Sequence, residues 1–348
     1  MNHPQTSSLL TWYDKHQRAL PWRSTQDPYH IWLSEIILQQ TRVEQGLSYY
    51  LKFIDMFPKV QDLADAKDDD VMKAWQGLGY YSRARNLLHT ARRISNEFEG
   101  KFPNSAKELQ KLKGIGPYTA AAIASFAFKE VVPVVDGNVY RFITRLYGIS
   151  TPIDTPQGHK EVLAVAQELI SEKEPDVFNQ AIMDFGSTHC KAKRPMCGEC
   201  PFQEQCVAFA NDTISLLPLK SKKTKVLTKH LYYLILSHND KILVKKRPNS
   251  GIWSNLHDFP LFESDQPVEI EKVVDSFKSK YPGLKSVSKV SEPIQHALSH
   301  RKMFVNFIEA TSNSLESKED SKDTFAQAKT EMEKLAVPKV IENYWKRR

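Results

Sequence analysis

The chain has 348 residues, of which 41% are hydrophobic, with a formal net charge of +7 and a pI of about 9.0. This length suits two domains, and no apolar run is long enough to cross a bilayer. The N-terminal segment has no signal-peptide core, so we expect an intracellular, cytoplasmic protein. The positive charge favours a polyanionic partner such as DNA.

The first 210 residues read as helices. Asp27 followed by Pro28 predicts a helix start, because Asp caps a helix and Pro is favoured at its first position. Ser105 and Glu108 form a capping box, and Asp136 is a further predicted cap. The helices predicted in this part are 29–40, 68–75, 82–98, one from 105 that ends before 114, 118–128, one from 136, 157–172 and 176–188.

The pattern changes after a Lys-rich, aromatic-free segment that we interpret as an interdomain linker, residues 213–229. The sequence then alternates, and a turn at Asn239-Asp240 predicts a hairpin of strands 230–237 and 241–247. Further predicted elements are helix 268–279, strand 302–310 and helix 338–346. These features predict a mostly α N-terminal part, 1–212, and a small α+β domain, 230–348.

All the cysteines of the chain lie in one short segment, at Cys190, Cys197, Cys200 and Cys206. Clustered cysteines in an intracellular chain indicate a metal site rather than disulfides. Four thiolates can bind either Zn²⁺ or a 4Fe-4S cluster. Zinc ribbons usually pair two C-x-x-C knuckles, whereas this segment has one. The basic residues between the first two cysteines could contact phosphates; they are Lys191, Lys193 and Arg194.

A glycine-rich turn joins two predicted helices in the sequence Leu112–Thr119. Gly114 and Gly116 would allow a tight turn, and the second helix would offer its free N–H groups to a phosphate. This pattern indicates a helix-hairpin-helix DNA-binding element; the alternative is an ordinary glycine turn between helices.

Two carboxylates are the candidate catalytic groups. Glu35 lies in a helix that is apolar on most sides, so burial should raise its pKa and let it act as a general acid. The alternative for Glu35 is a buried ion pair with an arginine. Asp136 follows an apolar run and begins a helix, where N–H donors and the helix dipole should keep it ionised. The alternative for Asp136 is a purely structural cap.

These motifs resemble the adenine DNA glycosylases of the MutY type, in the endonuclease III helix-hairpin-helix superfamily. The resemblance covers nearly the whole chain and is most specific from 21 to 206. It rests on the cysteine spacing, the glycine hairpin, W-x-S-E and V-D-G-N. It implies a six-helix part at about 22–132, an iron–sulfur part at 1–21 and 133–212 that binds one 4Fe-4S cluster, and a Nudix-like domain at 230–348.

The resemblance also implies a reaction. The enzyme would be a monomer, associated with the nucleoid, that flips adenine from double-stranded DNA where it lies opposite 8-oxoguanine or guanine. Glu35 would protonate adenine and Asp136 would stabilise the sugar cation, with support from Tyr118 and Asn138. Related enzymes that also cut the strand place a lysine where Tyr118 stands, so this chain should be monofunctional.

The binding residues implied by the resemblance fall into three groups. Those of the adenine pocket are Arg18, Trp22, Arg23, Leu38, Val43 and Gln180. Those around the opposite base are Gln40, Thr41, Leu78 and Tyr80, with Tyr80 entering the base stack. Those that recognise 8-oxoguanine are Ser299 and His300, after Leu298, where the family has Phe. The Mg²⁺-binding R-E-x-x-E-E helix of Nudix hydrolases is absent, so this domain should bind without hydrolysing.

Three alternatives remain open at this point. An endonuclease III-like enzyme would cut the strand as well as remove a base. A non-catalytic DNA-binding protein could use the same scaffold. A zinc protein could use the same cysteines.

Overall fold

The structure, a computed structural model, describes residues 3–221, 227–298, 301–318 and 323–348. The chain forms two compact units, one of Met1–Asp65 with Asn86–Lys223 and the other of Ala66–Arg85 with Thr224–Arg348. The first unit is helical and the second contains a β-sheet, as the sequence predicts. The sequence did not predict that residues 66–85 belong to the second unit.

The eight helices predicted up to residue 211 are present, and their ends differ from the prediction by a few residues. Four further helices, at Pro4–His16, Val43–Met56, Val60–Asp65 and Val207–Ala210, were not predicted individually. A 3₁₀ turn, Pro21–Arg23, and a π-helical turn, Phe185–His189, accompany them. The helices are α1 (Pro4–His16), α2 (Pro28–Leu38), α3 (Val43–Met56), α4 (Val60–Asp65), α5 (Asp68–Trp75), α6 (Ser82–Glu97), α7 (Ala106–Leu109), α8 (Pro117–Phe128), α9 (Gly137–Tyr147), α10 (Pro156–Leu169), α11 (Pro175–Asp184) and α12 (Val207–Ala210).

Two packing arrangements position the candidate site in the helical unit. The alanine-rich α8 lies against α2, and small side chains allow this close approach. A second core joins α1, α9, α10 and α11 through buried residues that include Trp12, Phe142 and Phe185. Three of the four cysteines pack against this second core. The candidate acid on α2 and the cysteine segment are therefore both fixed by buried apolar contacts.

The second unit is built on a mixed β-sheet. The remaining elements of the chain are β1 (Leu227–His238), β2 (Lys241–Lys246), β3 (His257–Asp258), β4 (Leu261–Ser264), α13 (Ile270–Lys280), β5 (Leu284–Val290), β6 (Ile294–Leu298), β7 (Arg301–Ser312), β8 (Thr324–Ala328) and α14 (Lys339–Lys346). The main strand order of the sheet is β3-β2-β1-β7-β5. The long strands β1 and β7 pair in parallel, and the predicted hairpin is present, with Ser237 opposite Ile242.

The predicted linker, 213–229, is wrong at both ends. Leu217 is buried, and its carbonyl oxygen accepts a hydrogen bond of 3.2 Å from Nε of Arg145. At the other end, β1 already begins at Leu227. The lysine-rich composition hid both a short apolar segment that packs on the helical unit and the start of a strand. Residues 222–226 lie outside the described residues.

In the described part of the chain, no helix is both long and apolar enough to cross a membrane.

Candidate active site

A solvent-connected pocket of about 820 Å³ lies within the helical unit. It brings together all six residues that the sequence assigned to an adenine pocket, namely Arg18, Trp22, Arg23, Leu38, Val43 and Gln180. Both candidate carboxylates line the same pocket, together with Tyr118, Asn138 and Thr41. Residues that sequence reasoning missed also line it: Leu20, Ile31, Ser34, Phe126, Met183 and Ser187.

Glu35 is buried on α2 and is 7% exposed. Its Oε2 accepts a hydrogen bond of 2.7 Å from the hydroxyl of Tyr118 on α8. Desolvation by burial raises the pKa of Glu35 to about 7, although the bond from Tyr118 acts in the opposite direction. The expectation of a raised pKa is confirmed. A carboxyl group with this pKa is partly protonated at neutral pH, as a general acid requires.

The charge of Arg23 also acts on Glu35 and lowers its pKa. Arg23 nevertheless forms its ion pair with a different carboxylate, Asp184, at 2.6 Å. Arg23 therefore does not form the buried ion pair with Glu35 that was the alternative interpretation of this residue. Its guanidinium is committed to Asp184, and Glu35 is left with the neutral hydroxyl of Tyr118.

Asp136 caps α9, as predicted, by accepting hydrogen bonds of 2.8 Å from the backbone N–H groups of Asn138 and Val139. The side-chain amide of Asn138 also donates to Oδ2 of Asp136 at 2.7 Å. These N–H donors favour the ionised form of Asp136, as the sequence predicts, but they are not the largest influence on its pKa. Burial raises its pKa, and the bonds from Val139 and Asn138 lower it by less. Both carboxylates thus shift in the same direction.

Asn179 and Gly186, which the sequence did not single out, place the start of α9. Asn179 on α11 accepts from the N–H of Val134 at 2.9 Å and donates to the oxygen of Val132 at 2.9 Å, which fixes the segment before Asp136. A Cβ at Gly186 would lie 2.5 Å from the carbonyl oxygen of Asn138. Only glycine therefore allows the π-helical turn to approach α9 this closely.

Three residues that line the pocket, Arg18, Arg23 and Gln180, are held by hydrogen bonds to side chains that do not line it. Both arginines donate to Asp184, whose side chain is fully buried. Tyr13, on α1, donates to Oε1 of Gln180 at 2.9 Å. The sequence did carry a signal for Asp184, because it is a lone acid in the apolar run Ala181–Phe185, as Glu35 is in α2.

The glycine hairpin between α7 and α8 has one glycine that its backbone requires. Gly114 has a φ of +82°, and a Cβ there would lie 2.6 Å from Cβ of Asn86. Gly116 caps α8 with an ordinary φ of −82°, and a Cβ there would meet nothing within 4 Å. The positive φ therefore explains why residue 114 is a glycine. No such constraint applies to Gly116, which leaves open space in front of the N-terminus of α8.

The residues predicted to surround the opposite base are distributed over both units. Gln40 follows α2 with a φ of 57°, and Thr41 lines the pocket with Glu35. Leu78 and Tyr80 belong to the second unit, where Leu78 is buried and Tyr80 is 41% exposed. There they line a cavity of about 1300 Å³ with Trp253, His296, Leu298 and Arg301, among others. Ser299 and His300 lie outside the described residues.

All four cysteines line one common cavity, and none forms a disulfide. Nη1 of the buried Arg145 lies 3.6 Å from Sγ of Cys190 and also donates to the oxygen of Lys191 at 2.8 Å. A guanidinium beside a thiol suits a site that carries negative charge. Within the described ranges, no group of three or more His, Cys, Asp or Glu side chains is placed to hold a single metal ion. The four cysteine thiols match the ligand set of a 4Fe-4S cluster.

Comparison with known proteins gives the family. Residues 33–172 match the model of the HhH-GPD superfamily of base excision DNA repair proteins, and residues 231–347 match a NUDIX domain. An adenine DNA glycosylase of Buchnera aphidicola subsp. Baizongia pistaciae is 35% identical over 301 residues, which are 86% of this chain and 84% of that protein. The chain belongs to the adenine DNA glycosylase family. It is therefore a DNA N-glycosylase, with the predicted helical and Nudix-like parts.

Other members of the adenine DNA glycosylase family match a shorter stretch of the chain at higher identity. The mouse protein is 44% identical over 213 residues, which are 58% of this chain and 41% of that protein. Among solved structures, a thermostable thymine-DNA glycosylase is 30% identical, with a TM-score of 0.56 over 60% of this chain and 95% of that one. An endonuclease III structure with DNA, at 21% identity and a TM-score of 0.51 over 60% of this chain and 94% of that one, shares the fold.

Proposed function

We propose that this protein is a monofunctional glycosylase that removes adenine from duplex DNA where the adenine lies opposite 8-oxoguanine or guanine. The observation that carries the proposal is the placement of Glu35. A buried carboxyl group with a pKa of about 7 lies in a pocket lined by every residue that the family resemblance assigns to adenine. Membership of the adenine DNA glycosylase family supports the choice of base.

The chemistry follows from the protonation state of Glu35. The protonated carboxyl donates its proton to N7 of the flipped adenine, so that the base leaves as a neutral molecule while the glycosidic bond breaks. The sugar becomes an oxocarbenium-like cation, and Asp136 stabilises it as an anion held by Asn138 and the start of α9. Glu35, now ionised, then accepts a proton from the attacking water.

The proposal of a monofunctional enzyme rests on the position of Tyr118. Burial raises the pKa of Tyr118 well above its ordinary range, so its hydroxyl keeps the proton that it donates to Glu35. Among the described residues, no lysine lines the pocket. A Schiff base with the sugar needs an amine at this place. The bond from Tyr118 instead orients the acid.

A single-turnover assay tests the proposal directly. Duplexes with adenine opposite 8-oxoguanine, guanine or thymine should lose adenine in the first two cases, without strand cleavage until alkali is added. Borohydride should trap no covalent complex. Strand cleavage with a trapped complex would support the endonuclease III-like alternative, and binding without base release would support the non-catalytic one.

We also propose that Cys190, Cys197, Cys200 and Cys206 bind one 4Fe-4S cluster. Support comes from their common cavity and from Arg145 beside Cys190. Protein purified without oxygen should contain about four irons per chain, because a cubane cluster requires them. Stoichiometric zinc in place of iron would contradict this proposal.

For the Nudix-like domain we propose a role in recognising 8-oxoguanine through Ser299 and His300. In the sequence these two residues lie between β6 and β7. The paired residues on either side of them are Leu298 of β6 and Arg301 of β7. Both of those residues line the cavity that also contains Leu78 and Tyr80. Replacing Ser299 and His300 with alanine should reduce the preference for 8-oxoguanine over guanine by roughly 1–3 kcal/mol, as for other base contacts. An unchanged preference, with excision intact, would contradict the assignment.

A further inference from the structure

Two arginines that line the pocket form a cluster with one buried acid. Asp184 ends α11, and its side chain has no exposed surface. Arg23 donates to it through Nη1 at 2.6 Å and Nη2 at 2.7 Å. Arg18 donates through Nε at 2.9 Å and also through Nη2. One carboxylate therefore holds two guanidinium groups at once.

The charges of this cluster are unequal. A fully buried carboxylate is costly unless it is paired, and the two arginines supply that pairing. They also hold the pKa of Asp184 below its usual range, against the effect of its burial, so it is an anion at neutral pH. Two positive charges and one negative charge leave this cluster with a net positive charge. Nη1 of Arg18 is not used by Asp184, and this side chain is 33% exposed.

We propose that Asp184 is a positioning residue that fixes Arg18 and Arg23 for binding of the base and offsets the positive charge of Arg23, which acts on Glu35. Asp184 does not line the pocket, so it acts through the arginines. The proposal rests on the proposed excision of adenine. It adds a residue that contacts neither the base nor the sugar, but on which their alignment depends.

The first test is single-turnover excision by Asp184→Asn. Asparagine keeps the shape of the side chain but loses the charge that holds both guanidinium groups. Displacement of a positioning group by about 1 Å lowers rates by roughly 100-fold, and a loss of that size is expected. The matched control is Asp258→Asn, because Asp258 in the second unit is also buried and paired with an arginine, Arg247, at 2.6 Å. The control should excise adenine opposite guanine within a few-fold of the wild-type rate, even where its melting temperature falls equally.

The second readout separates positioning from mere loss of stability. Glu35 is affected by Arg23, Tyr118 and Asp136, and Asp184 offsets the charge of Arg23. Without Asp184 the field at Glu35 becomes more positive, which favours its ionised form. The alkaline limb of the rate profile of Asp184→Asn should therefore move to lower pH. A variant that is only less stable would lose rate equally across the profile and keep its limb in place, and that result would overturn the proposal.

Asp184→Glu keeps the test decisive where Asp184→Asn does not fold. Glutamate preserves the charge but moves the carboxylate, so the rate should fall while the alkaline limb stays at the wild-type pH. A wild-type rate for Asp184→Glu or for Asp184→Asn would overturn the proposal. A wild-type protein that does not release adenine would instead refute the proposed function, so the two failures can be distinguished.

Discussion

The hydrogen bond of 2.7 Å from Tyr118 to Glu35 and the burial of Glu35 act on the pKa of this carboxyl group in opposite directions. A donor to the ionised carboxylate lowers its pKa, and burial raises it by more. The balance puts the pKa near neutral pH rather than far above it. In the reaction that we propose, Glu35 gives up a proton in the first step and, once ionised, accepts one in the second.

The first prediction concerns the loss of this acid. Glu35→Gln keeps the size of the side chain and its bond to Tyr118 but removes the proton donor. Single-turnover excision should fall by roughly 100-fold or more, because general acid catalysis contributes at least that much. Affinity for an adenine-containing duplex should stay near that of the wild type. Glu108→Gln, at an exposed ion pair with Lys111, is a matched control that should retain its rate.

The second prediction concerns stability against pH. Folding raises the pKa of Glu35 from 4.5 to about 7, so between these values the folded state binds a proton that the unfolded state has released. This contribution is fully present below pH 4.5 and is lost as pH rises through about 7.

Wild-type protein should therefore lose about 3 kcal/mol of unfolding free energy relative to Glu35→Gln between pH 5 and pH 9. Urea unfolding at the two pH values measures this difference. Parallel behaviour of the two proteins would show that Glu35 does not carry a raised pKa.

Sequence reasoning found Glu35 because an ionisable residue in an apolar helix stands out. The same rule applies to Asp184, but its pairing with Arg18 and Arg23 joins residues more than 160 positions apart. The bond from Tyr13 to Gln180 spans 167 positions in the same way. Periodicity and local motifs carry no information on such pairings, so the supporting layer of the pocket could not be predicted.

At the scale of elements, the helix starts that carry a side-chain cap could be predicted, because each cap is a local signal. Asp27, Ser105 and Asp136 all cap helices through their side chains. The hairpin between α7 and α8 was also predicted, but its two glycines were treated as equivalent. The structure separates them, since only Gly114 has a positive φ.

The third prediction uses this difference. Gly114→Ala should lower the unfolding free energy by about 1 kcal/mol or more, because alanine has to adopt a left-handed conformation and meets Asn86 at 2.6 Å. Gly116→Ala should leave stability unchanged, since its Cβ would meet no atom within 4 Å. If DNA phosphate approaches the α8 N-terminus, Gly116→Ala should weaken DNA binding instead. Melting temperatures and duplex affinities of the two variants measure both effects, and equal destabilisation would contradict the geometry.

At the scale of the whole molecule, the net charge of +7 can contribute to DNA binding only through basic residues that lie on the DNA-binding surface. The basic residues of the cysteine segment are exposed, namely Lys191, Lys193 and Arg194. They stand between the first two cysteines, so a bound cluster would fix the ends of their loop. The division into two units was less predictable, because nothing in the composition of residues 66–85 distinguishes them from the helices around them.

The fourth prediction is that replacing Lys191, Lys193 and Arg194 with glutamine weakens DNA binding and makes it less dependent on salt. Each lost phosphate contact should reduce the slope of log K against log salt by about 0.9. A triple replacement of Lys272, Lys278 and Lys280 on α13 removes the same charge and should leave the slope unchanged. Occupancy of the proposed cluster has to be equal in all proteins. Equal slopes for both triple variants would show that the cysteine segment does not contact DNA.

The membership of Ala66–Arg85 in the second unit has a consequence for synthesis of the protein. Within that unit Lys73 donates to the oxygen of Leu335 at 3.1 Å, and Arg85 donates to the oxygen of Ser254 at 2.8 Å. On the ribosome, this segment emerges before residues 86–223 are translated, an interval on the order of ten seconds. Its partners do not yet exist during that time. The second unit therefore cannot fold when its first segment emerges from the ribosome. Its folding has to wait until the later part of the unit, Thr224–Arg348, has been translated.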